Sequence, residues 1–204
     1  MVRKHMFVVV GLIALTLLSV NLKAETSNSL KKSLAVKSWD FEDGTVSKWR
    51  RYDGYVKTPA VSITDEALSD NYSLNVKFDD TSTNKWFDKG FSISIKQGIP
   101  VKDINFISFS YLIQGEVGDI RVFFKTIDEN NKSHWPGYKD SHPVIGKTGK
   151  FRVNTDQFTS WASGSGQRGV TGKIFTIFIS VHNKKLVNSG LNFSFTIDDI
   201  LLGK

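Results

Sequence analysis

The sequence has no cysteine and only 4 histidines among its 204 residues. The lack of cysteine excludes disulfide bridges, thiolate chemistry and a lipid-modified cysteine, so packing is expected to supply the stability of the fold. The few histidines leave a thin inventory for acid–base chemistry. The longest apolar run falls short of the roughly 20 residues that a membrane-spanning helix needs.

The N-terminal residues have the pattern of a signal peptide. Arg3 and Lys4 form a basic start, residues 7–20 are apolar without a charge, and Ala24 is a small residue at the expected cleavage site. An uncleaved anchor is the alternative. The expected product is a secreted or periplasmic protein without a membrane span after cleavage. The predicted parts are a signal peptide (1–24), a flexible N-terminal segment (25–37) and one β-sandwich domain (38–204).

The chain is basic, but its charges are scattered. The formal net charge is +7 and would fall to +4 once Arg3, Lys4 and Lys23 leave with the signal peptide. No block of five or six basic residues occurs, which is weak support for nucleic acid as a partner. A mild positive charge is compatible with an acidic polysaccharide.

From Trp39 onward, apolar residues alternate with polar residues in short runs. The runs are rich in β-branched and aromatic residues and are separated by glycine-containing turns, which is typical of half-buried strands. About nine or ten such strands predict an all-β fold, a jelly-roll β-sandwich of two antiparallel sheets. The clearest runs are 72–78, 91–95, 107–113, 120–125, 175–182 and 193–197.

Four short motifs are spaced between the first and last predicted strands. They are Asp40-Phe41-Glu42, Ile120-Arg121-Val122-Phe123, His134-Trp135 and Asp198-Asp199-Ile200. With them, the sequence from Trp39 to Leu202 resembles the jelly-roll carbohydrate-binding modules, and family 11 of those modules above all. The resemblance implies a non-catalytic domain that holds a polysaccharide, with a β-glucan as the partner.

Carboxylates stand at both ends of the predicted domain. A jelly roll can bring its first strand beside its last, which would put Glu42 near Asp198, and Asp70 could add an oxygen from a loop. Converging carboxylates repel one another unless a cation joins them, and Ca²⁺ prefers hard oxygen ligands. The resembling modules carry a structural Ca²⁺ in this region, so a Ca²⁺ held by these three residues is expected. The alternative is that Glu42 pairs with a lysine.

One sheet face of such a sandwich is open to solvent, and its residues alternate with the core. Aromatic rings stack on the apolar face of a pyranose, while sugar hydroxyls need donors and acceptors. Arginine offers a planar fork for hydroxyls or a uronate carboxylate. Core packing or an ordinary solvated face is the alternative for these residues. The candidate ligand-binding residues on this face are Trp86, Asp88, Arg121, Phe123, Arg152 and His182, and those in aromatic loops that would rim the cleft are Tyr52, Tyr55, Trp135 and Tyr138.

Three functions remain open. The first is a secreted, non-catalytic carbohydrate-binding protein whose partner is a β-glucan or, from the net charge, an acidic glycan, with a separate glycan-degrading enzyme as a second partner. The second is an envelope or protein-binding β-sandwich domain without sugar affinity. The third is a small jelly-roll polysaccharide lyase or glycoside hydrolase. Hydrolysis needs two carboxylates across a cleft, and no strand carries a motif that pairs them, so catalysis is disfavoured.

Overall fold

The computed structural model describes residues 35–52, 61–65, 68–80, 88–115, 117–160, 170–182 and 191–204. For residues 78–80 and 191–192 the structure describes the backbone only. The predicted signal peptide lies outside the described residues, and so does the predicted flexible segment as far as residue 34. Residues 35–37 of that segment belong to the first strand.

Strands make up most of the described chain. Its helical segments are two short 3-10 turns, Val101–Asp103 and Thr155–Gln157, and within the described residues no helix is long and apolar enough to cross a membrane. The strands are β1 (Ala35–Trp39), β2 (Arg50–Tyr52), β3 (Ser62–Thr64), β4 (Ser73–Asp80), β5 (Lys89–Pro100), β6 (Phe106–Gln114), β7 (Asp119–Ile127), β8 (Ser133–His134), β9 (Pro136–Asp140), β10 (Gly149–Asn154), β11 (Thr159–Ser160), β12 (Lys173–His182) and β13 (Leu191–Gly203).

The strands form two sheets. In the six-stranded sheet the order is β10-β6-β13-β4-β3, with β1 also paired to β13. In the seven-stranded sheet it is β11-β9-β7-β12-β5-β2, with β8 also paired to β7. The long neighbouring strands pair antiparallel in both sheets. The prediction of an all-β, jelly-roll β-sandwich is therefore confirmed, including the pairing of its first strand with its last.

The core lies between the two sheets and follows the two-residue period of the strands. On β7, Val122 and Phe124 are fully buried, and on β12 Ile177 and Ile179 are fully buried. The ring of Phe91 on β5 lies 5.3 Å from that of Phe195 on β13, so the two sheets contact each other through large apolar side chains. Residues that alternate with these on β7 and β12 must point to the outer face of the seven-stranded sheet.

Two β-bulges shift this alternation. On β12 the register changes between Ile174 and Thr176, so Ile174 is fully buried whereas Phe175, which the alternation assigned to the core, is partly exposed. On β13 the register changes between Asp198 and Leu201, where Asp199 adopts a φ of 52°. A bulge inserts a residue and reverses the side to which later residues point. The Asp198 side chain, just before the second bulge, is fully buried.

Candidate functional site

The outer face of the seven-stranded sheet carries polar and aromatic side chains in successive rows. Strand register places Phe123 of β7 opposite Phe178 of β12, and Arg121 opposite Ser180. The next row along β12 is His182, which lies opposite Asp119. Directly opposed residues of an antiparallel pair share one face. The alternation of β7 and β12 thus gathers side chains that are two residues apart in sequence onto one surface.

Four aromatic side chains form a continuous group on this face, called here the aromatic platform. The rings of Phe123 and Phe178 stack with centroids 4.5 Å apart and planes at 9°. Tyr52 of β2 meets both edge-on, at 5.6 Å from Phe123 and 4.9 Å from Phe178. Trp135 lies 5.8 Å from Phe178. All four are partly exposed, so their rings are packed against one another and still open to solvent.

A hydrogen-bonded turn positions Trp135. The Oδ1 atom of Asp128 accepts the backbone N–H groups of Asn130 and Lys132, each at 2.9 Å, and its Oδ2 lies 2.8 Å from Nε2 of His134. These bonds, led by that from His134, hold the pKa of Asp128 below its ordinary value. They fix the short connection between β7 and β8, and Trp135 follows β8 directly. The Nζ atom of Lys125 then lies 5.8 Å from the Trp135 ring centroid.

Four charged or titratable side chains form a second group, called here the polar cluster: Asp88, Asp119, Arg121 and His182. Arg121 Nε donates to Asp119 Oδ1 at 2.7 Å, and its Nη1 donates to Asp88 Oδ1 at 3.1 Å. His182 Nδ1 lies 3.1 Å from the same Asp88 oxygen. The side chains of these residues are only 12 to 18% exposed. Arg121 thus joins two carboxylates in a largely water-excluded setting, where its charge attracts them more strongly than at an open surface.

Gly90 and Ser180 lie between the platform and the polar cluster. Ser180 is fully buried, and its hydroxyl has no hydrogen-bond partner in the described part of the chain. Ser180 lies opposite Gly90 of β5, where a Cβ would overlap the carbonyl oxygen of Ile179 and come within 2.7 Å of the Ser180 Cα. Glycine is therefore required at position 90 for β5 to pair closely with β12.

The structure brings six of the predicted ligand-binding residues together. The platform contains Tyr52, Phe123 and Trp135, and the polar cluster contains Asp88, Arg121 and His182. Tyr55 and Trp86 lie outside the described residues, and their roles stay predictions. Asp119 was not among the predicted residues, although the alternation of outward residues at Arg121 and Phe123 reaches it when extended by two residues.

The placement of Tyr138 at the rim of the ligand cleft is wrong. The segment around it was taken for a loop, but residues 136–140 form strand β9, in which Tyr138 lies opposite the buried Val122. Its ring lies 6.0 Å from Phe151 and 6.4 Å from Phe158, both of which are core residues. Tyr138 therefore points to the interior, on the opposite side of the sheet from Arg121.

The grouping of Arg152 with the other ligand residues is also wrong. Arg152 lies on β10, which belongs to the six-stranded sheet, and it pairs in register with Ser108 of β6. Its guanidinium carbon lies 3.4 Å from the Phe106 ring centroid, a cation–π contact. Period-two alternation identifies Arg152 as an outward residue, but it does not reveal to which sheet the strand belongs.

Glu42 and Asp198, at the two ends of the domain, both accept hydrogen bonds from the loop that precedes β4. Glu42 accepts the backbone N–H of Asn71 at 3.0 and 3.1 Å, the Asn71 Nδ2 at 2.9 Å and the N–H of Tyr72 at 3.2 Å. Burial raises the pKa of Glu42, but these donors outweigh that effect and keep the pKa below its ordinary value.

Asp198 is held from the same loop through hydroxyl groups. Its Oδ2 accepts Ser69 Oγ at 2.7 Å and Ser73 Oγ at 3.0 Å, and its Oδ1 accepts the N–H of Asp199 at 2.8 Å. Burial raises the pKa of the Asp198 carboxyl above its ordinary value, although these three donors oppose the rise.

The carboxylates predicted to bind Ca²⁺ are engaged by hydrogen-bond donors in this structure. Among the described residues no three His, Asp or Glu side chains gather in a way that could hold a metal. The oxygens of Glu42 and Asp198 face N–H and O–H donors, whereas Ca²⁺ needs six to eight oxygens directed at one point. Asp70 is exposed between the two serines. Calcium binding therefore stays a prediction, and hydrogen bonds already join the two ends to the loop.

Comparison with known proteins connects the chain to others through its fold. No protein-family model matches the sequence, and no curated protein matches it. Solved structures do match. The CBM22-1 xylan-binding domain of Xyn10C from Paenibacillus barcinonensis superposes with a TM-score of 0.56 at 18% identity, over 83% of this chain and 95% of that one.

Two further solved structures have the same architecture. The family 11 carbohydrate-binding module from Clostridium thermocellum, in complex with a β-1,3-1,4-mixed-linked tetrasaccharide, gives a TM-score of 0.58 at 18% identity, over 82% of this chain and 95% of that one. A family 28 module specific for non-crystalline cellulose gives 0.51 at 13% identity, over 83% and 94% of the two chains. At these identities the similarity establishes the fold alone. The chain therefore has the jelly-roll fold of carbohydrate-binding modules such as those of family 11, which confirms the resemblance at the level of structure.

Proposed function

We propose that this protein binds a polysaccharide chain, without cleaving it, on the outer face of the seven-stranded sheet. The observation that carries the proposal is the stacked pair Phe123 and Phe178, partly exposed beside the polar cluster around Arg121. The apolar face of a sugar ring can stack on such a pair, and the hydroxyls at its edge can exchange hydrogen bonds with the neighbouring guanidinium and carboxylates.

The rigidity of the site supports binding. The platform rings contact one another, and Arg121 is held by two carboxylates, so few side chains would lose freedom when a ligand arrives. Side chains that are already ordered in the free protein lose less conformational entropy on binding, so the free-energy cost of association is smaller. An open face buries little of a ligand, so we expect affinities on the order of micromolar to millimolar. The modules of the same fold that bind xylan, a mixed-linked tetrasaccharide or non-crystalline cellulose lend support by analogy.

The chemistry of the polar cluster favours binding over catalysis. Glycoside hydrolysis requires one carboxylic acid that holds a proton and one carboxylate. Both Asp88 and Asp119 are bonded to the Arg121 guanidinium, so the two carboxylates converge on one side chain, whereas hydrolysis needs them on either side of the scissile bond. For a lyase or hydrolase, the third function considered above, the supporting observation is the Asp88–His182 contact.

The test is binding of purified residues 25–204 to a panel of soluble polysaccharides, by affinity gel electrophoresis and calorimetry. We expect retardation by at least one glycan and loss of it in Trp135→Ala, whereas Tyr72→Ala, an exposed aromatic outside the face, serves as the matched control. Retardation by no glycan would remove the proposal and favour an envelope or protein-binding domain. The release of reducing ends or of unsaturated products from a retained glycan would replace binding by catalysis.

We further propose that the protein acts in the secreted or periplasmic space, beside a separate glycan-degrading enzyme. The basic and apolar N-terminal pattern supports export. N-terminal sequencing of the protein recovered from the exported fraction tests this, with Glu25 as the expected first residue. Recovery only with the cytoplasmic fraction would contradict it.

A further inference from the structure

We infer that the ligand is an anionic polysaccharide, whose acidic groups pair with basic side chains along the edge of the aromatic platform. This inference rests on the proposed function and specifies the class of glycan. It is carried by the distribution of charge over the outer face of the seven-stranded sheet, which differs between the polar cluster and the platform.

Three basic residues border the platform. Lys125 lies two residues after Phe123 on the same face of β7, and its Nζ lies 5.8 Å from the Trp135 ring centroid. Lys139 of β9 lies opposite Arg121. Arg50 of β2 lies opposite Ser92, which in turn lies opposite Phe178, so Arg50 belongs to the row of the stacked phenylalanines. Arg50 and Lys139 are exposed, and Lys125 is partly exposed.

These three cations differ from Arg121 in their partners. The charge of Arg121 is matched by Asp88 and Asp119, so the polar cluster carries no excess of positive charge. Within the described residues, no ion pair joins Arg50, Lys125 or Lys139 to an acidic side chain. The face therefore has hydrogen-bonding carboxylates at one end and, around the rings, cations that form no ion pair with another described residue.

This arrangement matches an anionic sugar stacked on the platform. When a pyranose lies flat on an aromatic ring, its carboxylate or sulfate ester projects from the ring edge, where the lysine and arginine side chains reach. Its hydroxyls are left for the polar cluster. A neutral glycan can only accept hydrogen bonds from these three cations, whereas an anionic chain also forms charge pairs that steer it toward the face.

The same surface is less suited to a nucleic acid. Asp88 and Asp119 lie on the face and would repel a phosphate that lay against the polar cluster, where a sugar ring can present hydroxyls instead. Aromatic rings and cations alone would be compatible with single-stranded DNA, because bases stack on aromatic side chains without regard to sequence. We therefore take the anionic glycan as the occupant, and single-stranded DNA is one arm of the test.

The experiment measures affinity for polygalacturonate, a sulfated galactan, a neutral mixed-linked β-glucan and single-stranded DNA, at roughly 50 mM and 500 mM salt. We expect one of the two anionic glycans to bind best at low salt and to lose roughly tenfold or more of its affinity at high salt. Polygalacturonate carries carboxylates and the sulfated galactan carries sulfate esters, so comparing the two shows which anionic group the protein binds better.

Charge-neutralising variants localise the effect. Lys125→Gln with Lys139→Gln should weaken binding several-fold at low salt and hardly at all at high salt. Lys77→Gln with Lys150→Gln is the matched control, because both lysines are exposed on strands of the six-stranded sheet and the double replacement changes the net charge by the same amount. Equal weakening by the control would mean a non-specific effect of net charge and would overturn the inference.

The outcomes distinguish the inference from the proposed function. Tight, salt-insensitive binding of the neutral glucan that is unchanged in the double variant would overturn the anionic ligand and leave glycan binding intact. Binding of DNA more tightly than of any glycan would assign the face to nucleic acid and overturn both. Failure of all four polymers would remove the proposed function itself.

Discussion

Arg121 reaches across a strand to Asp88. The two residues belong to β7 and to the approach to β5, with β12 between them, and Arg121 Nη1 lies 3.1 Å from Asp88 Oδ1. His182 of the intervening strand contacts the same oxygen at 3.1 Å. Three strands of the seven-stranded sheet are thus joined on their outer face by side chains, next to the aromatic platform. The bonds of Arg121 and His182 to Asp88 therefore help to hold the three strands that carry the proposed site.

Replacing Arg121 should weaken glycan binding. Arg121→Lys keeps a positive charge but loses the planar fork that reaches two carboxylates, so we expect roughly tenfold weaker binding, about 1.4 kcal/mol. Arg121→Ala should also destabilise the fold, by about 3 kcal/mol or more, because it leaves the largely buried Asp119 without its ion-pair partner and Asp88 with His182 alone. Calorimetric titration and chemical denaturation measure the two effects. Arg152→Lys on the other sheet should change neither binding nor salt dependence.

Replacing Phe178 should remove the stacking surface at little cost in stability. Phe178→Leu keeps an apolar side chain of similar bulk on β12 but takes away the ring that lies 4.5 Å from Phe123. We expect binding to fall by about tenfold or more, while the free energy of unfolding falls by about 1 to 2 kcal/mol because the site is half-exposed. Tyr72→Leu is the control. Unchanged affinity in Phe178→Leu would disconnect the platform from binding.

Gly90→Ala should destabilise the seven-stranded sheet. An added Cβ at this position would overlap the Ile179 carbonyl oxygen on the adjacent strand. Overpacking of this kind typically costs about 1 to 3 kcal/mol. The melting temperature should fall by several degrees, and binding should weaken because Ser180 and Arg121 lie in the same row. Ser94→Ala on the exposed part of β5 is the matched control; an equal fall in both variants would contradict a local clash.

Glu42 should stabilise the fold only where it is charged. Its pKa in the fold lies below the ordinary value of 4.5, so the unfolded chain binds more protons and the stability from Glu42 is lost as pH falls through the folded pKa. The difference in melting temperature between wild type and Glu42→Gln should therefore be larger near pH 6 than near pH 3, each pH being about a unit or more from the ordinary pKa.

Asp198 should affect the pH dependence of stability in the opposite direction to Glu42. Burial raises its pKa above 3.8, so its charged form costs stability as pH rises from there through the folded pKa. The pH dependence of Asp198→Asn relative to wild type should then have the opposite sign to that of Glu42→Gln. If both differences grew in the same direction with pH, the assigned environment of one carboxylate would be wrong.

Calcium should have little effect on stability if the hydrogen bonds of Glu42 and Asp198 already hold the ends of the domain to the loop before β4. Glu42 and Asp198 already accept donors from the loop before β4, and no third acidic side chain joins them in the described residues. Melting curves with calcium and with EGTA should coincide. A rise of several degrees with calcium, abolished in Glu42→Gln, would instead establish the structural ion that the family resemblance implies.

The positions of the long strands along the chain follow from local patterns. The alternation of apolar and polar residues around Arg121 and Phe123 gives the correct outward set on β7, because a side chain on a strand points to alternate faces whatever its neighbours are. The same reasoning fails at Phe175, where a bulge shifts the period, and at Tyr138, where a strand was taken for a loop. Bulges and short strands depend on pairing partners, which a local pattern does not contain.

The sequence by itself determined the all-β class, the outward positions on each long strand and the acidic residues at both ends of the domain. Only the tertiary structure decided which outward residues share a surface. Arg121 and Arg152 have equivalent local patterns, yet they lie on different sheets because strand order is set by the packing of the whole sandwich. The meeting of Tyr52, Phe123, Trp135 and Phe178 likewise depends on contacts between strands that are distant in sequence.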